Sequence, residues 1–421
     1  MVTTLSGART RDSASTVRVG WGFIFMYALA FAGAWLALLT PVLVTIALRV
    51  RELTPDRAAT NLSLVLGVGA LFALIGNPLF GRLSDRTRSR WGMRRPWLVG
   101  GMLIGAAALY VIAIAPTIVG VLLGWCLAQL AFNAVLAAIV AVLPDQVPAE
   151  QRGTVSGVLG VCMPIGQVGG TFLVQAVAGS MVLMLMIPGV IGLVAVALFA
   201  IVLPDRRLPH APQQPALTAA FPGSFWVDPR KHPDFAWAWL SRFLLVTGTA
   251  FLTTYQAFYL IDKLGHDVAE VPALIFKGSM VQAIMIVIAS LISGRVSDAL
   301  DRRKLFVLAA AAVYGVALWI IAAADSYTTF LIGMAITGLG QGVYFAVDLA
   351  LVTQVLPNRE RDAAKDLGIF NIANALPQSV APALAPAVLS VAGGDYTWLY
   401  VVAGAISLLG SVAIFQVRSV R

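Results

Sequence analysis

The sequence predicts an all-α polytopic membrane protein of twelve transmembrane helices, arranged as two parallel six-helix repeats. Three observations predict it. Hydrophobic residues make up 59% of the 421 and charged residues only 12%, about half the charge that a soluble surface carries. The apolar residues fall in runs of about twenty, the length that crosses a bilayer core. Short sequences also return at one spacing. Gly81-Arg82-Leu83-Ser84-Asp85 recurs as Gly294-Arg295-Val296-Ser297-Asp298, Val142-Leu143-Pro144 as Val355-Leu356-Pro357, and Pro164 as Pro377, each 213 residues on. Such parallel repeats are related by an axis along the membrane normal.

The chain begins with a polar tail, residues 1–19, carrying Arg9, Arg11 and Arg18 and no cleavage signal after a short apolar core. Apolar runs follow at 20–48, 57–81, 97–115, 117–143, 153–178 and 181–203, then at 236–261, 271–293, 305–323, 327–356, 367–391 and 395–417. In lipid each run must satisfy its own backbone hydrogen bonds, so each is expected to be a helix. The halves are thus 20–203 and 236–417. They are joined by a proline-rich linker, 204–235, which carries Arg206, Arg207, Arg230 and Lys231, and a short tail, 418–421, ends the chain.

The net charge of +9 is not the footprint of a nucleic-acid binder, because no basic face with interleaved aromatics accompanies it. With both termini on one side, 23 of the 29 lysines and arginines lie on that side. The positive-inside rule makes that side cytosolic and the membrane the cytoplasmic one. Cys126 and Cys162 each sit within an apolar run and read as small packing residues. Neither a metal nor a cofactor is expected.

The segment between the second and third runs reads Gly81-Arg-Leu-Ser-Asp85-Arg86-Thr-Arg-Ser-Arg90-Trp91-Gly92-Met-Arg94-Arg95-Pro96. With the two-half, twelve-helix pattern it resembles the major facilitator superfamily, whose signature here is Gly-x-x-x-Asp-Arg followed by Gly-x-Arg-Arg. Its longer form is similar to that of the sucrose/proton symporters and the glycoside–pentoside–hexuronide cation symporters. So are Leu38-Leu39-Thr40-Pro41, and Leu367-Gly368-Ile-Phe-Asn371 followed by Pro377-Gln378. The resemblance implies that Asp85 meets the start of helix 11 and latches the cytosolic face. A helix N-terminus attracts an anion independently of any family. Gly81 and Gly92 would allow close approach and a tight turn. Asp85, Arg86, Arg94 and Arg95 are therefore expected to gate. Asp145 and Arg152 extend the charge network, and Asp298 and Arg302 belong to its degraded second copy. Lipid anchoring explains Arg88 and Arg90 as well.

Ionisable residues inside a membrane default to functional hypotheses. The four glutamates and three histidines all lie between runs, and among the aspartates Asp348 alone lies well inside one. Asp348 precedes Pro357 by nine residues, roughly 13 Å along a helix. Arg242, about eight residues into its run, lies at nearly the same depth. The superfamily resemblance implies that helices 1, 4, 7 and 10 line a central cavity, which brings Arg242 and Asp348 within pairing reach. Asp348 is expected to bind a coupling proton and then release Arg242; a static ion pair that fixes packing is the other reading.

Polar uncharged residues fall in stripes: Gln129 and Asn133 on helix 4; Thr249, Thr253 and Gln256 with Arg242 on helix 7; Gln341 and Tyr344 with Asp348 on helix 10; Asn371, Asn374 and Gln378 on helix 11. Amides, hydroxyls and an aromatic suit an uncharged polyhydroxylated ligand, although the same residues also bond helices to one another. The expected partners are then a small-molecule solute, a coupling proton with sodium as the alternative, and the lipid bilayer, with the chain acting as a monomer. The expected function is proton-coupled symport of a sugar or glycoside by alternating access. Proton-driven export of drugs or secondary metabolites is the alternative. An enzyme is not expected, since no nucleophile-and-base set or metal cluster lies within the runs.

Overall fold

The computed structural model describes residues 18–205, 227–300, 302–355 and 363–417. Twelve helices among them are long and apolar enough to cross a membrane. In the first half these are α1 Trp21–Leu53, α2 Pro55–Asp85, α3 Arg95–Ile114, α4 Ile118–Gln146, α5 Ala149–Ala176 and α6 Met181–Val202. The second half holds α7 Pro233–Lys263, α8 Val271–Leu300, α9 Arg303–Ala322 and α10 Tyr327–Val355. It closes with α11, made of Ala363–Ala375 and Pro377–Val391, and α12 Tyr396–Phe415. Residues 1–17 of the predicted N-terminal tail, the C-terminal tail, most of the 204–235 linker and Pro357 lie outside the described residues, as does the side chain of Asp298.

Several helices outrun their apolar stretches. α1 continues past residue 48 because Arg49, 8% exposed, donates to the Ala115 carbonyl at 2.8 Å and pairs with Glu52 at 2.6 Å. A charge satisfied in this way can be carried on a helix. Within α1, Pro41 has no N–H to continue the ladder, and the backbone relaxes into a π turn over Pro41–Thr45. A second π turn, Tyr259–Lys263, ends α7. π turns of this kind frequently mark functional positions.

The two halves repeat one packing scheme. α1 packs on α5 and α6 as α7 packs on α11 and α12; α2 and α3 pack on α4 as α8 and α9 pack on α10. Small residues permit the closest crossings. A methyl on Gly342 of α10 would come within 2.4 Å of the Ile286 carbonyl of α8. The 213-residue offset is not uniform, since α3 and α9, each of 20 residues, start 208 apart. The turn between α8 and α9 is shorter than the basic loop between α2 and α3.

Between halves, α2 packs mainly on Pro377–Val391 of α11 and much less on Ala363–Ala375, while α5 meets α8 through Cys162–Ala176. The halves therefore meet near the end where α1 finishes, here the far end. Among the described residues the contacts between halves thin out toward the end that carries the α2–α3 loop, here the basic end, so the cleft between their described parts opens there.

Candidate functional site

The cleft wall of the second half carries an ion pair. Arg242 of α7 donates from Nη1 to Asp348 Oδ2 of α10 at 2.5 Å, with their side chains 15% and 4% exposed. Asp348 is the only fully buried carboxylate among the described residues. Arg242 Nε donates to Asn374 Oδ1 at 2.7 Å, and Asn374 Nδ2 donates to Asn371 Oδ1 at 2.9 Å. The guanidinium also lies 4.7 Å from the centre of the Phe370 ring. Trp239 steadies this corner by donating to the Ile369 carbonyl at 2.9 Å. Tyr344, wholly buried one turn before Asp348, adjoins the carboxylate without reaching hydrogen-bond geometry. A relay thus runs from Asp348 through Arg242 and Asn374 to Asn371, which is exposed.

The first half carries a neutral counterpart. Asn133 donates to the Gln129 carbonyl at 2.8 Å and to Gln129 Oε1 at 3.1 Å, and both residues are under 9% exposed. Asn77 of α2 donates to Asn133 Oδ1 at 3.4 Å and is itself exposed. Asn77 escaped the sequence reading because it interrupts an apolar run singly. The amide directly before Pro78, inside a helix, was the available signal.

The other predicted ligand residues are less concentrated. Thr249 and Thr253 donate to the Leu245 and Thr249 carbonyls of their own helix, leaving their oxygens only as acceptors. Gln256 is buried with its Nε2 unpartnered. Gln341 is half-buried, and Gln378 is exposed on α11.

At the basic end, Arg94 is 4% exposed and pairs with Asp85 at 2.6 Å and Asp145 at 2.9 Å. It also donates to Ser84 Oγ at 2.8 Å. Asp205, which the sequence reading did not single out, caps α3 by accepting the backbone N–H groups of Arg94 and Arg95 at 2.7 and 2.8 Å. Its carboxylate sits where the N-terminal partial charge of a helix favours an anion. Gly92 has φ +108°, and a methyl there would lie 2.2 Å from Asp205 Oδ2. Arg95 donates to the Leu203 carbonyl, and Arg152 caps the end of α4 by donating to the Val147 and Pro144 carbonyls.

The described partners of Asp85 thus lie in its own half, and the residues just before α11 fall outside the described set. Gly81 makes no close crossing, since a methyl there would find only the Ala137 Cβ at 3.9 Å. Arg302 is exposed ahead of α9.

At the far end two polar contacts among the described residues bind the halves, and neither was predicted. Arg51 of α1 pairs with Asp262 of α7 at 2.7 Å. Deeper in, the wholly buried Tyr255 hydroxyl meets Ser63 Oγ of α2 at 2.5 Å. Ser63 donates to the Ala59 carbonyl, so Tyr255 is the donor of this pair. Beside them, Asp395 accepts the Thr397 N–H at 2.8 Å and caps α12. Partial burial raises its carboxyl, but the hydrogen bond from the Thr397 N–H and the Lys263 charge outweigh that and hold it below the ordinary value of 3.8.

The sequence profile of the Major Facilitator Superfamily matches residues 21–288 and 278–421. An uncharacterized symporter of Synechocystis sp. is 59% identical over 39 residues, 9% of this chain and 7% of that protein. The lactose permease of Lactobacillus delbrueckii subsp. bulgaricus is 44% identical over 50 residues, 12% of this chain and 8% of the permease. A multidrug resistance protein of Klebsiella pneumoniae is 29% identical over 136 residues, 32% of this chain and 33% of its own. The chain therefore spans a third or less of each of these relatives.

Among solved structures, the nucleoside transporter NupG superposes with a TM-score of 0.70 at 15% identity, over 94% of this chain and 98% of that one. A bacterial homologue of the lysosomal transporter Spinster, inward-facing and occupied, gives 0.71 at 14% identity, over 94% and 96%. At such identities the likeness is one of fold. Twelve spans in two repeats, matched by this profile along nearly the whole chain, make it an integral membrane transporter of the Major Facilitator Superfamily.

Proposed function

We propose that the chain is a proton-coupled symporter of a sugar or glycoside, working by alternating access of the halves 20–203 and 236–417. The observation that carries this reading is the buried Arg242–Asp348 pair with its amide relay to the cleft. A buried carboxylate with a single cationic partner is stable only while both charges are present. Protonation of Asp348 removes one charge and leaves Arg242 in need of another acceptor. Asn374, Asn371 and a solute hydroxyl can then provide it, which links the proton to solute binding. The lactose permease relative favours sugar as the cargo, and the symporter relative favours symport.

In this reading the basic end faces the cytosol of a cell bounded by the cytoplasmic membrane, both termini lie there, and the monomer is the working unit. The Arg94–Asp85–Asp145 cluster and Gly92 hold the loop that latches that face, with Arg86 and Arg95 beside them. A second reading, proton-driven export, draws on the longer alignment with the drug-resistance protein.

Uptake of labelled lactose and sucrose into proteoliposomes under an inward proton gradient, in the wild type and in Asp348→Asn, separates these readings. Accumulation in the wild type that is lost in the variant, while solute exchange persists, is the expected result. A sodium gradient driving the same uptake would replace the proton. Antibiotics moving against the proton flow, with no sugar entry, would establish the exporter instead.

A further inference from the structure

Asn77 has no role in the coupling scheme above, yet three observations place it at the solute. The first is its direction. Along α2 the exposed apolar residues Leu64, Leu71, Phe72 and Ile75 form the lipid-facing side. At 3.6 residues per turn, Asn77 is about 200° from Ile75 and about 140° from Phe72. Its exposure is therefore to the cleft and not to lipid.

The second is its level. A methyl on Gly67 of α2 would touch Pro382 Cβ at 3.6 Å and the Ser379 carbonyl at 3.7 Å, which marks where α2 crosses α11. From that crossing the two helices run in opposite senses. Asn77 lies ten residues on along α2 and Asn371 eight residues back from Ser379, about 15 Å and about 12 Å toward the basic end. Asn371 is also exposed, and its bond to Asn374, which holds Arg242 of α7, keeps it on the α7 side of α11. The two amides thus stand at one height on the two sides of the cleft.

The third is what backs it. Gln129 and Asn133 are buried and spend their amides largely on each other, so the first half reaches the cleft through Asn77. The described bond uses one of the four hydrogen-bonding positions of this side chain. Asn371 ends the charged relay of the second half in the same way.

We propose that Asn77 is a solute-contact residue which, with Asn371 of the opposite half, grips the hydroxyls of a neutral polyhydroxylated solute from two sides. The proposal rests on the symporter reading and adds to it the residue through which the first half senses the solute. An amide both donates and accepts, as a sugar hydroxyl does, and a ligand bonded to both halves draws them together over the cleft.

The test uses full-length protein in proteoliposomes with labelled lactose, sucrose and uridine. Asn77→Ala and Asn77→Ser are assayed for KM and maximal rate, and Asn77→Cys for reaction with a hydrophilic methanethiosulfonate reagent. The buried Cys126 and Cys162 supply the wild-type background. The expected result is that Cys at position 77 is labelled, that a transported solute protects it, and that KM rises about fivefold in Asn77→Ala, the worth of one neutral hydrogen bond. A smaller rise is expected in Asn77→Ser.

Failure to label position 77 in protein that still transports overturns the inference. So does transport with no protection, or a fall in maximal rate at unchanged KM, which would make Asn77 a packing residue; in these cases the symporter reading survives. If none of the three solutes moves or protects, both readings fall together.

Discussion

Arg94 in the first half and Arg242 in the second both pair with carboxylates at little exposure, and the two sites differ in how many. Arg94 at the basic end has two, Asp85 and Asp145, with Ser84 in addition. Arg242 in the cleft has one, Asp348, with an amide beside it. Protonating either partner of Arg94 still leaves that arginine an anion. Protonating Asp348 leaves Arg242 without one. In the proposed symporter the same chemistry would make a proton-insensitive anchor where carboxylates are in excess and a proton-sensitive contact where they are not. Solvent adds to the contrast, since Asp85 is 44% exposed and the Asp348 side chain 4%.

The comparison can be broken most directly at the cleft. Arg242→Leu strands a buried carboxylate, and the loss of folding stability should be large, about 3–5 kcal/mol. Thermal unfolding in detergent reads it, and the double variant Arg242→Leu, Asp348→Leu should recover most of the loss. If Asp348→Asn still accumulates solute under a proton gradient, the pair is a packing contact and the contrast with Arg94 disappears.

At the anchor, Arg94→Met should cost about 1.5–3 kcal/mol, the worth of one charge-assisted hydrogen bond. It should cost no more than that because both carboxylates remain hydrated. Transport by this variant should keep the wild-type dependence on pH. A displaced pH profile would mean that the anchor titrates too.

Gly92→Ala sharpens the account of what holds the anchor. The left-handed backbone costs an ordinary residue about 1–2 kcal/mol, and the clash with Asp205 adds to it. The same change in an Asp205→Gly background should cost less, because the Oδ2, Cγ and Cβ of Asp205 that the methyl would meet are then gone. Equal losses in both backgrounds would remove Asp205 from the account.

At the far end, Tyr255→Phe keeps the ring and loses the bond to Ser63. Spin-label distances between the halves should then show the far-open form rising about fivefold, the effect of about 1 kcal/mol. Arg51→Ala should shift it less, because exposed ion pairs are worth about 0–1 kcal/mol. Smallest of all is the Asp395 cap. Its carboxyl titrates below the ordinary value in the folded protein, so its stabilisation is complete above that value and fades as pH falls through the folded one. Asp395→Asn should flatten the acid limb of a stability profile only slightly.

Particular residues mark how far the sequence could be read. Arg242 and Asp348 were legible because a charge in a long apolar run is conspicuous, and helix spacing placed them at one depth. Arg94 and Arg95 stood out in the loop motif, but Asp205 lies 110 residues away in what reads as a linker. Its part in the cap follows only from where α6 ends. Asn77 was missed because a lone amide in an apolar run carries no periodic signal. Thr249 and Thr253 aligned on a helix face, but folding sends their hydroxyl protons to their own backbone.

By itself the sequence determined the number of spans, the repeat and the charged end, because lipid obliges every long apolar run to be a helix whatever its neighbours. Only the tertiary structure decided which polar groups meet. Arg51 with Asp262, Tyr255 with Ser63, and Asn77 with Asn133 are contacts between helices. Helix period alone sets neither the rotation of one helix against another nor the depth at which they cross.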